Sequence, residues 1–275
     1  MKAYSPKEYW TGVAEDFCSA DAAGFAPVLH PGAPAWFNQA IDALQFKALR
    51  RGLSVAQLAP GMHILDVGCG TGRWLRRYEE LGFHTTGVDA TRGMLAICRQ
   101  QGTSTSLVSG EAQRLPFADA SFDCVSDVTV VQHLPPPLQP LAIGEMLRVL
   151  KPEGKLILVE LIRGQGSHIF PRAPQDWIQQ AAGHGAKVLD WFGQEFLFPD
   201  RFFTRATGLV TGRNGSRQPD QAPETKSSSG RDTAGRRLYW TMRHVTVPLS
   251  VWTDPMAEKI FPARFATHGV FIFQK

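Results

Sequence analysis

The stretch Ile64-Leu65-Asp66-Val67-Gly68-Cys69-Gly70-Thr71-Gly72-Arg73 decides how the rest of this chain is read. A buried strand runs into three glycines at alternate positions and then into a helix. Glycines there let backbone approach a ligand that a Cβ would exclude, and the helix start supplies free N–H donors. In an open α/β sheet the ligand crevice lies at the carboxyl ends of such strands. Two details narrow the ligand. The spacing is G-x-G-x-G rather than the G-x-G-x-x-G that carries a pyrophosphate onto a helix. Asp66 also stands two residues before the first glycine, an acid that suits a cationic group better than a phosphate.

Outward from this loop, short apolar strands alternate with helices. Pro60-Gly61 opens the run, followed by a strand at 63–67, a helix at 73–81, a strand at 84–88 and a helix at 91–101. Strands are expected at 106–109 and 122–128, then a helix at 137–150 stopped by Lys151-Pro152-Glu153-Gly154. A strand at 155–161, a helix near 175–182 and a strand at 186–191 follow. This alternation requires a mostly parallel sheet with helices on both faces. The first sixty residues read as a helical cap. Ser5-Pro6-Lys7-Glu8 is an N-cap, first-turn proline and capping-box glutamate ahead of Tyr9, Trp10, Val13 and Phe17. A second helix runs from Pro34 to Arg51, with Gly52 as its stop.

Asp89 closes the second strand, 21 residues after Gly68, where a carboxylate can accept from both hydroxyls of a ribose. The run ILDVGCGTG, the GVDAT strand end that includes Ala90, GEAQRLPFADASFDCV, VVQHLP and EMLRVLKPEGKLILVE appear in order between Ile64 and Trp191. On these motifs the chain resembles the class I (Rossmann-like) S-adenosylmethionine-dependent methyltransferases, in the branch that includes the quinone-biosynthesis C-methyltransferases. The resemblance implies a three-layer sandwich, a seven-stranded sheet whose last strand, 269–275, inserts antiparallel, and S-adenosylmethionine as cofactor. It places the cofactor on Asp66, Gly68, Cys69, Gly70, Gly72, Asp89 and Ala90, with adenine at Glu111-Ala112. The family more often has Asp where this chain has the longer Glu111.

Methyl transfer asks an enzyme to hold the nucleophile in near-attack geometry, exclude water and, for a nucleophile of high pKa, supply a base. His133, just after the fourth strand, and Glu160, at the end of the fifth, are the candidate catalytic groups. His168 and Arg172 fall on the substrate side by topology. Each has a plainer reading: His133 as a loop-bonded histidine, Glu160 as a strand cap, Arg172 as the i+4 partner of Asp176.

The chain divides into a cap (1–60) and an α/β domain (61–275) with a substrate-side insertion at 192–268. Within the insertion, residues 212–237 hold no aromatic residue and no aliphatic larger than alanine, and read as a flexible loop. Six Arg/Lys and three Asp/Glu there carry +3 of the net +4. The remainder is close to neutral, which argues against a nucleic-acid partner. Leu238 to Phe265 is aromatic and basic. Trp240 is a candidate substrate contact, and the segment suits a lid, a subunit interface, a peripheral membrane contact or packing on the sheet; Asp254-Pro255 reads as the start of a short helix. Four scattered cysteines give neither a disulfide pattern nor a metal site. No signal core or membrane span is legible, and a cytoplasmic location is expected. The acceptor is expected to be a small molecule, of hydrophobic character given the apolar insertion. A nicotinamide-dependent oxidoreductase, a nucleic-acid methyltransferase and a non-catalytic cofactor-binding partner protein are the rival readings.

Overall fold

In a computed structural model the alternation resolves into one seven-stranded sheet of order β3-β2-β1-β4-β5-β7-β6. Residues 4–17, 29, 33–103, 105–164, 166–199, 202 and 232–275 are described, with backbone alone for 17 and 232–239. Strands β1 (His63–Val67), β2 (His84–Asp89), β3 (Ser106–Ser109), β4 (Phe122–Val128) and β5 (Leu150–Leu161) pair in parallel. The last strand, β7 (His268–Gln274), slots between β5 and β6 (Lys187–Gln194), antiparallel to both. Two reversals cancel, so β5 and β6 point the same way. Their carboxyl ends open on the same edge as those of β1, β2 and β4.

Period-two alternation along the strands divides the core. Leu65, Val125, Leu156, Leu158, Phe271 and Phe273 pack on α5 (Gln139–Val149) and α6 (Pro174–Gly183). Ile64, Cys124, Ile157, Val159, Val270 and Ile272 pack on α2 (Ala35–Val55) and α3 (Arg73–Glu80). Strands buried on both faces need near-continuous apolar sequence, and β5 supplies it. This is the expected Rossmann-like three-layer sandwich, with α4 (Arg92–Gln100) beside β2 and β3.

Four local expectations change. Gly52 does not stop α2, which continues to Val55. Leu53 and Ala56 bury just beyond it, and that burial outweighs the ~1 kcal/mol helix penalty of one glycine. Lys151-Pro152-Glu153-Gly154 is not a gap before β5 but a bulge within it, since Phe122 faces Leu150 and Cys124 already faces Lys155. Asp254-Pro255 starts no helix; both lie inside α7 (Asp232–Ile260). There the buried Asp254 Oδ1 accepts the Leu197 N–H at 3.1 Å, tying the helix to the chain after β6. The flexible segment expected at 212–237 falls outside the described residues up to 231, and 232–237 belong to α7. Ala and Arg there are strong helix formers joined to a helix held by tertiary packing.

The first helix, α1 (Pro6–Phe17), starts as expected, with the Glu8 N–H donating to Ser5 Oγ at 3.4 Å. It packs against α4, where Ala14 meets Gly93 so closely that a Cβ there would sit 2.9 Å away.

Candidate cofactor and active site

The glycine turn after β1 is held from inside the protein. The N–H groups of Gly68 and Cys69 both donate to the Val88 carbonyl (2.8 and 3.1 Å), and that of Gly72 donates to the Cys69 carbonyl at 2.9 Å. The Gly70 N–H donates to Asp89 Oδ2 at 2.9 Å, while Asp89 Oδ1 accepts the Thr91 N–H at 2.8 Å. Gly68 has φ +66°, and a Cβ on it would strike Val130 Cγ2 at 2.4 Å; one on Gly72 (φ +77°) would strike Cys98 Sγ at 2.4 Å. Both glycines are therefore demanded by the protein's own packing as well as by backbone conformation. Four donors of the turn are thus spent within the protein.

Behind the turn stand acids. Asp66 on β1 and Asp127 on β4 are 1% and 0% exposed, and Asp66 Oδ2 has no hydrogen-bond partner among the described residues. Burial, reinforced by each acid's carboxylate neighbours, lifts both well above the ordinary carboxylate range. Asp89 is half-buried, and burial raises it too, against the lowering effect of its two N–H donors. Arg73, fully buried, answers part of this charge from α3, bonded to Asp42 at 3.1 Å and Gln45 at 2.9 Å.

Glu160, at the end of β5, is fully buried. Oε1 accepts the N–H groups of Val130 (3.0 Å) and Val131 (2.8 Å), and Oε2 accepts that of Gln132 (2.9 Å). Burial pushes this carboxyl up to about 7. Glu160 and Asp127 are neighbours, and a dry pair of carboxyls holds one proton. Three N–H donors favour the anion at Glu160, so Glu160 is the first of the pair to ionise and Asp127 the last to give up its proton. Glu160 thus fixes the turn after β4 from within.

That turn, a 3₁₀ segment at Val131–His133, carries His133. His133 Nδ1 lies 3.0 Å from the His168 carbonyl. A carbonyl only accepts, so Nδ1 carries the proton and Nε2 presents its lone pair, 3.4 Å from Gln132 Nε2. The His133 and His168 rings are parallel, with centroids 5.5 Å apart. Helix α1 and the residues just before it cover them: Tyr9 stacks on His168 at 4.5 Å, Trp10 meets His133 edge-on at 5.0 Å, and the Tyr4 hydroxyl donates to the His133 carbonyl at 3.1 Å. The sequence showed α1 as a generic cap. The adjacent aromatics Tyr9 and Trp10, each with a polar atom, were the one available sign of a roof over polar groups.

The remaining candidates sit as follows. Glu111, after β3, is exposed, accepts from Gln113 Nε2 at 2.7 Å and faces Lys7 of α1 at 3.8 Å; Ala112 beside it is half-buried. Arg172 donates to Gln139 Oε1 and to the Pro136 carbonyl, bracing the same turn. Trp240 on α7 packs edge-on against Phe37 at 5.5 Å and Trp36 at 6.2 Å, at the start of α2. The structure brings together Asp66, the glycines, Asp89, His133, Glu160 and His168 along the carboxyl edge. Trp240 belongs to a separate aromatic cluster with the start of α2.

Residues 65–158 match the family described as a methyltransferase domain. Over 101 residues the chain is 39% identical to a demethylmenaquinone methyltransferase of Renibacterium salmoninarum, covering 37% of this chain and 42% of that protein. Over 182 residues it is 32% identical to a malonyl-[acyl-carrier protein] O-methyltransferase of Erwinia pyrifoliae, covering 60% of this chain and 66% of the relative. The chain thus spans about two fifths to two thirds of these relatives. Among solved structures, the [4+2]-cyclase SpnF superposes with a TM-score of 0.62 at 19% identity, covering 100% of this chain and 98% of the other; that likeness concerns the fold.

Proposed function

We propose, from the premise that residues 65–158 are a class I methyltransferase domain, that the chain binds S-adenosylmethionine and methylates a small, hydrophobic acceptor. The observation that carries this reading is the inversion of polarity at the glycine turn. The Gly68, Cys69, Gly70 and Gly72 N–H groups are bonded within the protein, while Asp66 and Asp89 supply unspent acceptor capacity. Such a site fits a cationic nucleoside without phosphates and disfavours a nicotinamide dinucleotide.

When bound, S-adenosylmethionine supplies an electrophilic methyl group on a sulfonium. Asp89 retains lone pairs for the ribose hydroxyls while its two N–H donors hold it still. Asp66, at the back of the turn, gains an opposite charge in the ligand's ammonium group and ionises. The backbone at Gly68, Cys69, Gly70, Gly72 and Ala90 lines the nucleoside, and Glu111-Ala112 faces the adenine. His133 Nε2 takes the proton that an oxygen or carbon acid loses as it is methylated, and the hydrogen bond from Nδ1–H to the His168 carbonyl stabilises the resulting imidazolium. Glu160 acts through the turn as a positioning residue. Tyr9, Trp10 and His168 form an aromatic wall that excludes water, and Arg172 braces the turn that carries His133. A relative named for a quinone supports an acceptor of apolar character. Reduced thiols at Cys69, Cys98 and Cys124 support a cytoplasmic location.

The test is single-turnover formation of the demethylated cofactor with quinol, phenol and acyl acceptors, for wild type and His133→Gln. We expect transfer in wild type, and in the variant a rate lowered by about 10²-fold or more with cofactor affinity retained. Cofactor binding without transfer to any acceptor class would overturn the transferase reading and leave the binding reading standing.

A further inference from the structure

Helix α7 is amphipathic in the wrong sense for a helix facing water. Its buried side holds Arg243, Thr246, Ser250 and Asp254, each 5% exposed or less. Its outer side holds Val245, Leu249, Trp252, Met256 and Ile260, between 45% and 73% exposed. The steps of four, three, four and four residues place these five in one stripe, about 22 Å long at 1.5 Å per residue. Phe261 and Phe265 extend the stripe past the helix end, 43% and 38% exposed. With fully exposed side chains of this class offering on the order of 150–250 Å², the seven present roughly 700 Å². The largest apolar patch on an ordinary monomer is ~300–600 Å².

The charges bordering the stripe are of one sign. Lys259 and Arg264, both exposed, flank it. The nearby acid, Glu258, is turned to the inner side of α7, where it faces Lys47 at 4.0 Å and Arg51 at 3.9 Å on α2. We propose that this face of α7, with the Phe261–Phe265 turn, docks on an anionic lipid bilayer, its aromatic and aliphatic side chains entering the interface and its basic rim meeting the headgroups. A convex ridge of large apolar side chains edged by Lys and Arg is the form of an interfacial helix. The stripe is too short, and its helix too polar on the inner side, to span the membrane; no described helix is long and apolar enough to do so.

The experiment is co-sedimentation of the full chain with vesicles of mixed phosphatidylglycerol and phosphatidylcholine, and of phosphatidylcholine alone. Wild type is compared with Trp252→Glu/Ile260→Glu and with Lys259→Glu/Arg264→Glu. All substituted side chains are exposed, so an unchanged melting temperature verifies each fold. We expect wild type to sediment with the anionic vesicles and to be released by salt. The apolar variant should lose partitioning by about tenfold or more, and the charge variant should lose the preference for anionic lipid, roughly fivefold per basic side chain. Wild type that ignores both vesicle types, or variants that bind as well as wild type, would overturn the proposal. A dimer in sedimentation equilibrium that Trp252→Glu/Ile260→Glu abolishes would overturn it in favour of a second copy.

Discussion

Glu160→Gln is the sharpest probe of how the active-site turn is held. In wild type the carboxylate accepts three buried N–H groups at 2.8 to 3.0 Å. An amide keeps one carbonyl oxygen, which can still accept from Val130 and Val131, but sets an NH₂ against the Gln132 N–H. Leaving one buried donor unsatisfied costs about 1–3 kcal/mol, and the two retained bonds lose their charge assistance. A net loss of ~2 kcal/mol corresponds to a fall in melting temperature of roughly 4–8 °C for a chain of this size. The pH dependence gives the second signature. Glu160 titrates at about 7 in the folded protein, against ~4.3 when unfolded. A raised carboxyl contributes stability that is complete below the unfolded value and is lost as pH climbs through the folded one. Wild type therefore gives up the Glu160 contribution between pH ~4.3 and ~7, whereas Glu160→Gln keeps only the pH dependence of Asp127, so the gap between them narrows as pH rises. Thermal melts by circular dichroism across that range measure both effects. An unchanged melting temperature, or a gap that widens with pH, would refute the buried-anchor reasoning.

Three further outcomes follow from the same contacts. Gly68→Ala places a methyl 2.4 Å from Val130 Cγ2 at φ +66°, and should destabilise by ~2 kcal/mol or more in chemical denaturation. Val130→Ala should recover part of that loss, and additive losses in the double variant would mean the clash is not the cause. Asp89→Ala should weaken S-adenosylmethionine binding by about 10- to 100-fold in calorimetry, through lost ribose contacts and a loosened turn; Asp89→Asn should fall between. Tyr9→Ala, which removes the ring stacked on His168, should lower turnover more than cofactor affinity, and equal losses in both would return α1 to a purely structural role.

The succession of strands and helices and the placement of Asp66 and Asp89 at strand ends were legible in the sequence because each is carried by a local signal, while the antiparallel last strand was implied by the family resemblance. An apolar run, a glycine turn or an acid at a strand end is visible over a few residues. What escaped depends on direction in space. Nothing in β5 tells whether the Glu160 carboxylate points to solvent or back under the next turn. Asp254-Pro255 looks like a helix start until Asp254 finds the Leu197 N–H across 57 residues. Gly52 looks like a stop until Leu53 and Ala56 bury against the sheet. Asp127 drew no notice, since a single acid in an apolar strand shows neither its burial nor its neighbour Glu160. The donor-poor character of the glycine turn was equally hidden, because its partner, the Val88 carbonyl, lies on the adjacent strand.

Isothermal titration of the purified chain with S-adenosylmethionine, S-adenosylhomocysteine and NAD tests the acid-lined nucleoside cradle most directly. One-to-one binding of both sulfur nucleosides, none of NAD, and a proton released as Asp66 ionises are the predicted results. Binding of NAD with silence from both sulfur nucleosides would contradict the account at its root.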